Sequence, residues 1–208
     1  IDGPGGAGKS TTARAVAARL GLSYLDTGAL YRCVALRAIE DGLSLDDGPH
    51  IAEIARHLDV RFAAGSDRVT LGERDVTTEI RTPEMSQAAS KVSALPPVRE
   101  ALVELQRRSA RAPGTVAEGR DMGTVIFPDA RLKVFLDATV DERARRRAAD
   151  LRGLGRPDAI EEVRAQLAER DARDSGRAVA PLRRAPDAVV LDTTDLAFDE
   201  VVDRIVAE

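Results

Sequence analysis

The sequence predicts an α/β domain in which a parallel sheet is flanked by helices, with a small antiparallel β insert and a short lid. Three observations lead there. Short apolar strand candidates alternate with longer helical stretches, the pattern of a parallel sheet covered on both faces. At the start of the chain an apolar pair, a glycine-rich stretch and a helical stretch follow one another directly. The 208 residues suffice for one well-buried core carrying a small inserted subdomain.

The elements follow in order. Ile1 and Asp2 read as the end of a buried strand, so a few further residues are expected before them. Gly3-Pro4-Gly5-Gly6-Ala7-Gly8-Lys9-Ser10 then fits Gly-x-x-x-x-Gly-Lys-Ser, and a helix is expected over 9–20. A loop closed by glycines can wrap its backbone N–H groups around phosphate oxygens, and the helix start adds its positive dipole end. Lys9 supplies a cation for the outer phosphates, and the Ser10 hydroxyl can ligate Mg²⁺. A second strand, 23–25, leads into Leu25-Asp26-Thr27-Gly28 and a helix over 28–42. Thr27 there either meets a ligand or caps that helix.

Residues 59–81 break the alternation. Apolar and polar residues interleave around Gly65-Ser66-Asp67 and Gly72-Glu73-Arg74, which predicts two or three short antiparallel strands. Helices over 84–94 and 97–111 and a strand at 115–117 follow, then Glu118-Gly119-Arg120-Asp121-Met122-Gly123. In open α/β sheets ligands bind beyond the carboxyl ends of strands, so Arg120 and Asp121 are placed to touch a substrate, or form an ion pair shaping the turn. A strand at 132–136 precedes a helix over 139–152 with a capping-box start at Thr139-Val-Asp-Glu142. The bridge Arg152-Gly-Leu-Gly-Arg156-Pro157 reads as a mobile flap or a plain connection. Asp158-Ala-Ile-Glu161 opens a helix over 158–176, and a strand at 188–191 and a helix over 197–207 finish the chain. Ala197 offers that last helix no side-chain cap.

Composition narrows the function classes. A net charge of −4 argues against a general nucleic-acid-binding surface. One cysteine, Cys33, allows no internal disulfide and suits a reducing cytoplasm. No apolar run approaches the ~18 residues of a spanning helix, and no signal peptide is visible. His50 and His57 lie in an unremarkable helical stretch and read as surface residues. Only three of the 31 basic residues, Lys9, Lys91 and Lys133, are lysine.

The helix from 158 onward carries a second constellation. Ile160, Val163 and Leu167 mark a buried stripe, and at 100° per residue the same stripe continues through Arg170, Asp174 and Arg177, with Arg173 on its flank. Long ionic side chains on a core-directed face need partners. Either a salt-bridge network absorbs them or they line a cleft for phosphate and ribose.

Together these segments resemble the bacterial cytidylate kinases, which phosphorylate CMP and dCMP with ATP. The likeness is carried by IDGPGGAGKST, YLDTGALYR, EIRT, VREAL, EGRDMGTVIFPDA, RDARDSGRAVAP and VVLDTTDL, which run in order through nearly the whole chain. EGRDMGT with RDxRDxxRxxxP is far more specific than the phosphate loop. The resemblance implies the P-loop nucleoside monophosphate kinase fold: a core at about 1–27, 112–151 and 178–208, a monophosphate-binding region at about 28–111, and a lid at 152–157. It implies an ATP set of Gly3, Pro4, Gly5, Gly6, Ala7, Gly8, Lys9, Ser10 and Thr11, with Mg²⁺ on Ser10. Ser90, Arg99 and Asp121 would surround the cytosine with Arg177 nearby, and Arg170 and Asp174 would hold the sugar. Arg32, Arg81 and Arg120 would grip the CMP phosphate beside Thr27. Lys9, Arg120, Arg170, Arg173 and Arg177 would serve catalysis in a cytoplasmic monomer that binds neither nucleic acid nor membrane. Two positions depart mildly: Thr27 stands where serine is common and Ser10 where some members have glycine.

Chemistry supports two of these assignments independently. Cytosine presents an exocyclic amine that a carboxylate accepts, whereas uracil would meet Asp121 lone pair to lone pair. Arginine's planar fork suits a reaction that spreads charge over several oxygens. The competing readings are a kinase for another small acceptor such as UMP, AMP or shikimate, and a non-catalytic nucleotide-binding module. A switch GTPase is excluded, because its Asn-Lys-x-Asp element cannot exist in a chain without asparagine.

Overall fold

The computed structural model describes residues 1–208 except 64, 65, 67, 154 and 156–158. It divides into two compact units, Ile1–Leu20 with Gly119–Glu208, and Gly21–Glu118. The chain opens in the first unit with α1 (Lys9–Leu20), whose small residues Ala13, Val16 and Ala17 are buried.

The second unit begins with β1 (Ser23–Asp26), which runs directly into α2 (Thr27–Glu40). The cap of α2 corrects the capping alternative for Thr27. Asp26 is the capping residue, its carboxylate accepting the Ala29 N–H at 2.9 Å, and Thr27 is the first helical residue. α3 (Gly48–Arg56) starts behind Asp47, with Pro49 in its first turn, where a missing N–H does no harm. Both histidines are exposed, His50 against Asp47 and His57 against Glu53. The insert forms an antiparallel meander of β2 (Val60–Phe62), β3 (Val69–Leu71) and β4 (Arg74–Asp75). Of its two expected turn centres, Gly65 and Asp67 lie outside the described residues.

A tight turn, Glu79–Arg81, leads to α4 (Pro83–Val92), whose start is capped by the Thr82 hydroxyl accepting from Met85 N–H. α5 (Pro96–Ser109) follows, and β5 (Thr115–Glu118) pairs in parallel with β1, Asp26 opposite Glu118. The core of this unit gathers Leu30, Val34, Ile51, Ile80, Val92, Val98 and Leu102, all fully buried. Burial of each such side chain contributes about 1.5–3 kcal/mol, which holds four helices to one centre.

The first unit resumes at Gly119. Asp2 lies between Gly119 and Phe135 in parallel pairing, joined by Gly119 N–H to Ile1 O, Asp2 N–H to Val134 O and Leu136 N–H to Asp2 O. β6 (Val134–Asp137) pairs in parallel with β7 (Val189–Asp192). Between them α6 (Val140–Gly153) and α7 (Ile160–Ser175) pack through Ala144, Ala148, Leu151, Val163 and Leu167. Thr139 caps α6, accepting the Glu142 N–H, but the reciprocal half of the expected capping box is not made: the Thr139 N–H donates to the Thr194 hydroxyl and the Glu142 carboxylate serves Arg145 and Arg146. α8 (Phe198–Ala207) manages without a side-chain cap at Ala197, because Glu200 reaches back to accept the Ala197 N–H at 2.8 Å.

One core expectation fails. Ile160 is 42% exposed, since it occupies the first turn of α7, and the buried stripe begins at Val163. Of the lid at 152–157, Leu154, Arg156 and Pro157 lie outside the described residues, as does Asp158 of the expected capping box. Among the described residues no helix is long and apolar enough to cross a membrane.

Candidate nucleotide-binding site

The loop from Gly3 to Gly8 bends as only glycine allows at its key points. Gly3, Gly6 and Gly8 have φ of 148°, 79° and 83°. A Cβ at Gly3 would overlap the carbonyl oxygen of Leu136, so the loop leaves the sheet pressed against β6. Asp2, just before the loop, is buried and accepts the backbone N–H groups of Met122 and Gly123, each at 2.8 Å. This ties the loop's entry to the segment after Gly119. α1 starts at Lys9, whose Nζ donates to the Pro4 carbonyl at 2.7 Å. The Thr11 hydroxyl donates to Gly8 O, and Ser10 lies half-buried between them. The glycine-shaped loop, the helix start and the buried lysine are an arrangement that can hold an anion.

Ser10 suits a divalent cation. Its hydroxyl is one hard oxygen donor, which fits an ion whose other ligands are phosphate oxygens and water.

The first unit also brings Arg120, Arg170, Asp174 and Arg177 together. Arg120 Nε donates to Asp174 Oδ2 at 2.8 Å and its Nη1 to Gly119 O at 3.2 Å. Arg170 Nε and Arg177 Nη1 each lie 3.9 Å from the same carboxylate. Arg177 stands beyond the end of α7, yet the chain still returns it to the stripe that the helical period marks out, and its Nη2 donates to Ala180 O. Burial opposes ionisation of Asp174, but the charges of Arg120, Arg170 and Arg177 and the Arg120 hydrogen bond outweigh it and hold the carboxyl below its usual range. Arg120 thus reaches Asp174, 54 residues away, and not only its own turn. Asp121 is buried at the head of a π-helical turn, Met122–Ile126, and its carbonyl accepts the N–H groups of Val125 and Ile126. Arg173 is ion-paired with Glu169 at 2.5 Å.

The second unit holds the remaining candidates. Thr27 is buried and its hydroxyl donates to Glu118 O at 2.7 Å. Arg32 reaches back along α2 to Gly28 O and to the Asp26 carboxylate, each at 3.2 Å. Arg99, 3% exposed, lies with its guanidinium 5.6 Å from the Tyr31 ring centre and donates to Ser93 O. Ser93 in turn donates to Ser90 O, so Ser90 and Arg99 form one group. Arg81 closes the turn Glu79–Arg81.

Sequence reasoning missed Asp2, Ser93 and Tyr31. Asp2 carried a signal, a charged residue inside a strand directly before the loop. Ser93 and Tyr31 act through a backbone carbonyl and a ring face, which no local pattern reveals.

Comparison with known proteins agrees along the chain. The family profile for cytidylate kinase matches residues 1–208. A cytidylate kinase of Methylococcus capsulatus is 50% identical over 203 residues, covering 97% of this chain and 91% of that protein. One of Klebsiella pneumoniae is 50% identical over 206 residues, with 98% and 91% covered. A bifunctional pantoate ligase/cytidylate kinase of Synechococcus sp. is 48% identical over 211 residues, which span 99% of this chain and 39% of that longer protein.

Proposed function

The chain belongs to the cytidylate kinase family, and on that footing we propose that it transfers the γ-phosphoryl group of ATP to the 5′-phosphate of CMP or dCMP, giving CDP or dCDP and ADP. The observation that carries the donor half is the Gly3–Gly8 loop running into α1 at the buried Lys9. In this reading Gly3 to Thr11 cradle the triphosphate and Lys9 meets its outer oxygens. Ser10 holds Mg²⁺, which when bound neutralises charge on the donor phosphates.

The acceptor assignment follows the family. Asp121 accepts the cytosine amine, with Ser90, Arg99 and Arg177 around the base. Arg170 and Asp174 hold the sugar, and Arg32, Arg81, Arg120 and Thr27 hold the phosphate. No general base is needed: a phosphate monoester with a second pKa near ~6 is mostly dianionic at neutral pH. Catalysis is then alignment plus neutralisation of charge spread over the transferring oxygens, supplied by Lys9, Arg120, Arg170, Arg173 and Arg177. Closure of the lid expected at 152–157 would keep water from acting as acceptor.

Lys9→Met tests the donor site. Removing one positioned cation is expected to lower kcat by about 10²–10³-fold, with CMP binding by calorimetry retained. Unchanged turnover would refute the assignment.

A further inference from the structure

Arg143 belongs to neither nucleotide set, yet it touches the phosphate loop twice. It sits in α6, only 6% exposed. Its Nη1 donates to Gly5 O at 2.9 Å, and its Nε donates to Ala138 O at 3.0 Å. The loop also lies against its backbone: a Cβ added at Gly6 would come within 3.1 Å of Arg143 Cβ and 3.2 Å of its carbonyl oxygen. The same Nη1 is ion-paired at 2.6 Å with Asp171 Oδ2 of α7, the helix that carries Arg170 and Asp174.

We infer that Arg143 is the positioning residue that sets the phosphate loop at Gly5–Gly6 and, through Asp171, fixes it against α7. The peptide group explains how. Gly5 O and Gly6 N–H belong to one planar trans peptide, so a carbonyl held toward Arg143 turns the N–H to the opposite side. In the donor reading that N–H is one of the loop amides that meet a phosphate oxygen. An arginine is required because its fork meets the Ala138 and Gly5 carbonyls and Asp171 from one rigid plane. A lysine ammonium keeps the charge without that fixed geometry. Asp171 aims the fork, and its other oxygen accepts no hydrogen bond among the described residues.

The inference rests on the donor reading of the loop and predicts a loss specific to ATP. Arg143→Lys, Asp171→Asn and the double variant are compared with the wild type in the full chain. The measurements are thermal midpoint, calorimetric binding of Mg·ATP and of CMP separately, and steady-state kinetics. Folded Arg143→Lys is expected to weaken ATP binding about tenfold and to raise the KM for ATP alike, with CMP affinity within about threefold of wild type. Asp171→Asn is expected to weaken ATP about three- to fivefold, and the double variant to lose less than the product of the single losses. Should Arg143→Lys fail to fold, Asp171→Asn carries the test. ATP affinity within twofold of wild type in either folded variant overturns the inference, as does a parallel fall in ATP and CMP affinity. A wild type that binds ATP but does not phosphorylate CMP would instead overturn the proposed activity and leave this comparison intact.

Discussion

Asp121 is buried, and a carboxylate kept from water at a base site, the role proposed for it, discriminates by hydrogen-bond polarity rather than by size. In that role the amine of cytosine would donate to it, while the carbonyl of uracil would repel it. Asp121→Ala is therefore expected to lower the ratio of kcat/KM for CMP over UMP by about 10- to 100-fold, the worth of about 1–3 kcal/mol for one base contact. The loss of overall phosphate affinity should be smaller. A ratio that survives the substitution would show that another group reads the base. For single residues the sequence is informative where a period runs on: the stripe through Leu167, Arg170 and Asp174 needs only the geometry of one helix. It is silent on which group answers which charge. That Arg120 binds Asp174, 54 residues away, depends on a tertiary approach no spacing encodes.

Glu142 shows how much one helix turn can hold. It accepts Arg145 through both oxygens at 2.7 Å and Arg146 at 2.7 Å, and Arg146 goes on to the Thr193 hydroxyl. The Arg145 hydrogen bond outweighs the opposing effect of burial and, with the Arg146 hydrogen bond and the charges of both arginines, lowers its carboxyl from 4.5 to about 2. A carboxyl depressed in the folded state stabilises the protein above its unfolded value and loses that contribution as pH falls through the folded one. Glu142→Gln should thus lower the thermal midpoint near pH 6. The gap to wild type should shrink as pH falls from about 4.5 to about 2. A gap independent of pH across that window would show that ionisation of Glu142 is not what holds the turn.

The glycines of the loop are also an element property. Gly3→Ala adds a methyl where Leu136 O already stands, at a φ of 148°, and should lower the midpoint by several degrees and weaken ATP binding. An unchanged midpoint would mean the loop's exit from the sheet is not fixed at that contact. Most elements are legible because caps and periods are local signals, as at Thr139. The cap at Asp26 is less so, since Asp and Thr stand side by side and both can cap; backbone geometry decides for Asp26. The π-helical turn Met122–Ile126 leaves no pattern, because an inserted residue in a single turn has no period.

For the whole molecule, the first unit joins the start of the chain to its second half. Asp2 pairs through its backbone with Gly119 and Phe135, and its carboxylate holds Met122 and Gly123. The loop proposed to bind the donor is thereby tied to the segment bearing Arg120 and Asp121, which suits a two-substrate enzyme. Fold class, parallel pairing and the antiparallel meander are all readable from alternation and turn residues, because each is built from short-range patterns. The grouping of arginines about Asp174, and of Arg99 with Tyr31, needs the folded chain.

The family and the loop both point to an enzyme that uses ATP to phosphorylate a cytosine nucleoside monophosphate. The decisive experiment is ADP release with Mg·ATP and a panel of CMP, dCMP, UMP and AMP. CMP or dCMP is expected as the preferred acceptor by kcat/KM, with UMP and AMP well below. A preference for UMP or AMP, or no turnover of any acceptor by a folded protein that binds ATP, would contradict it.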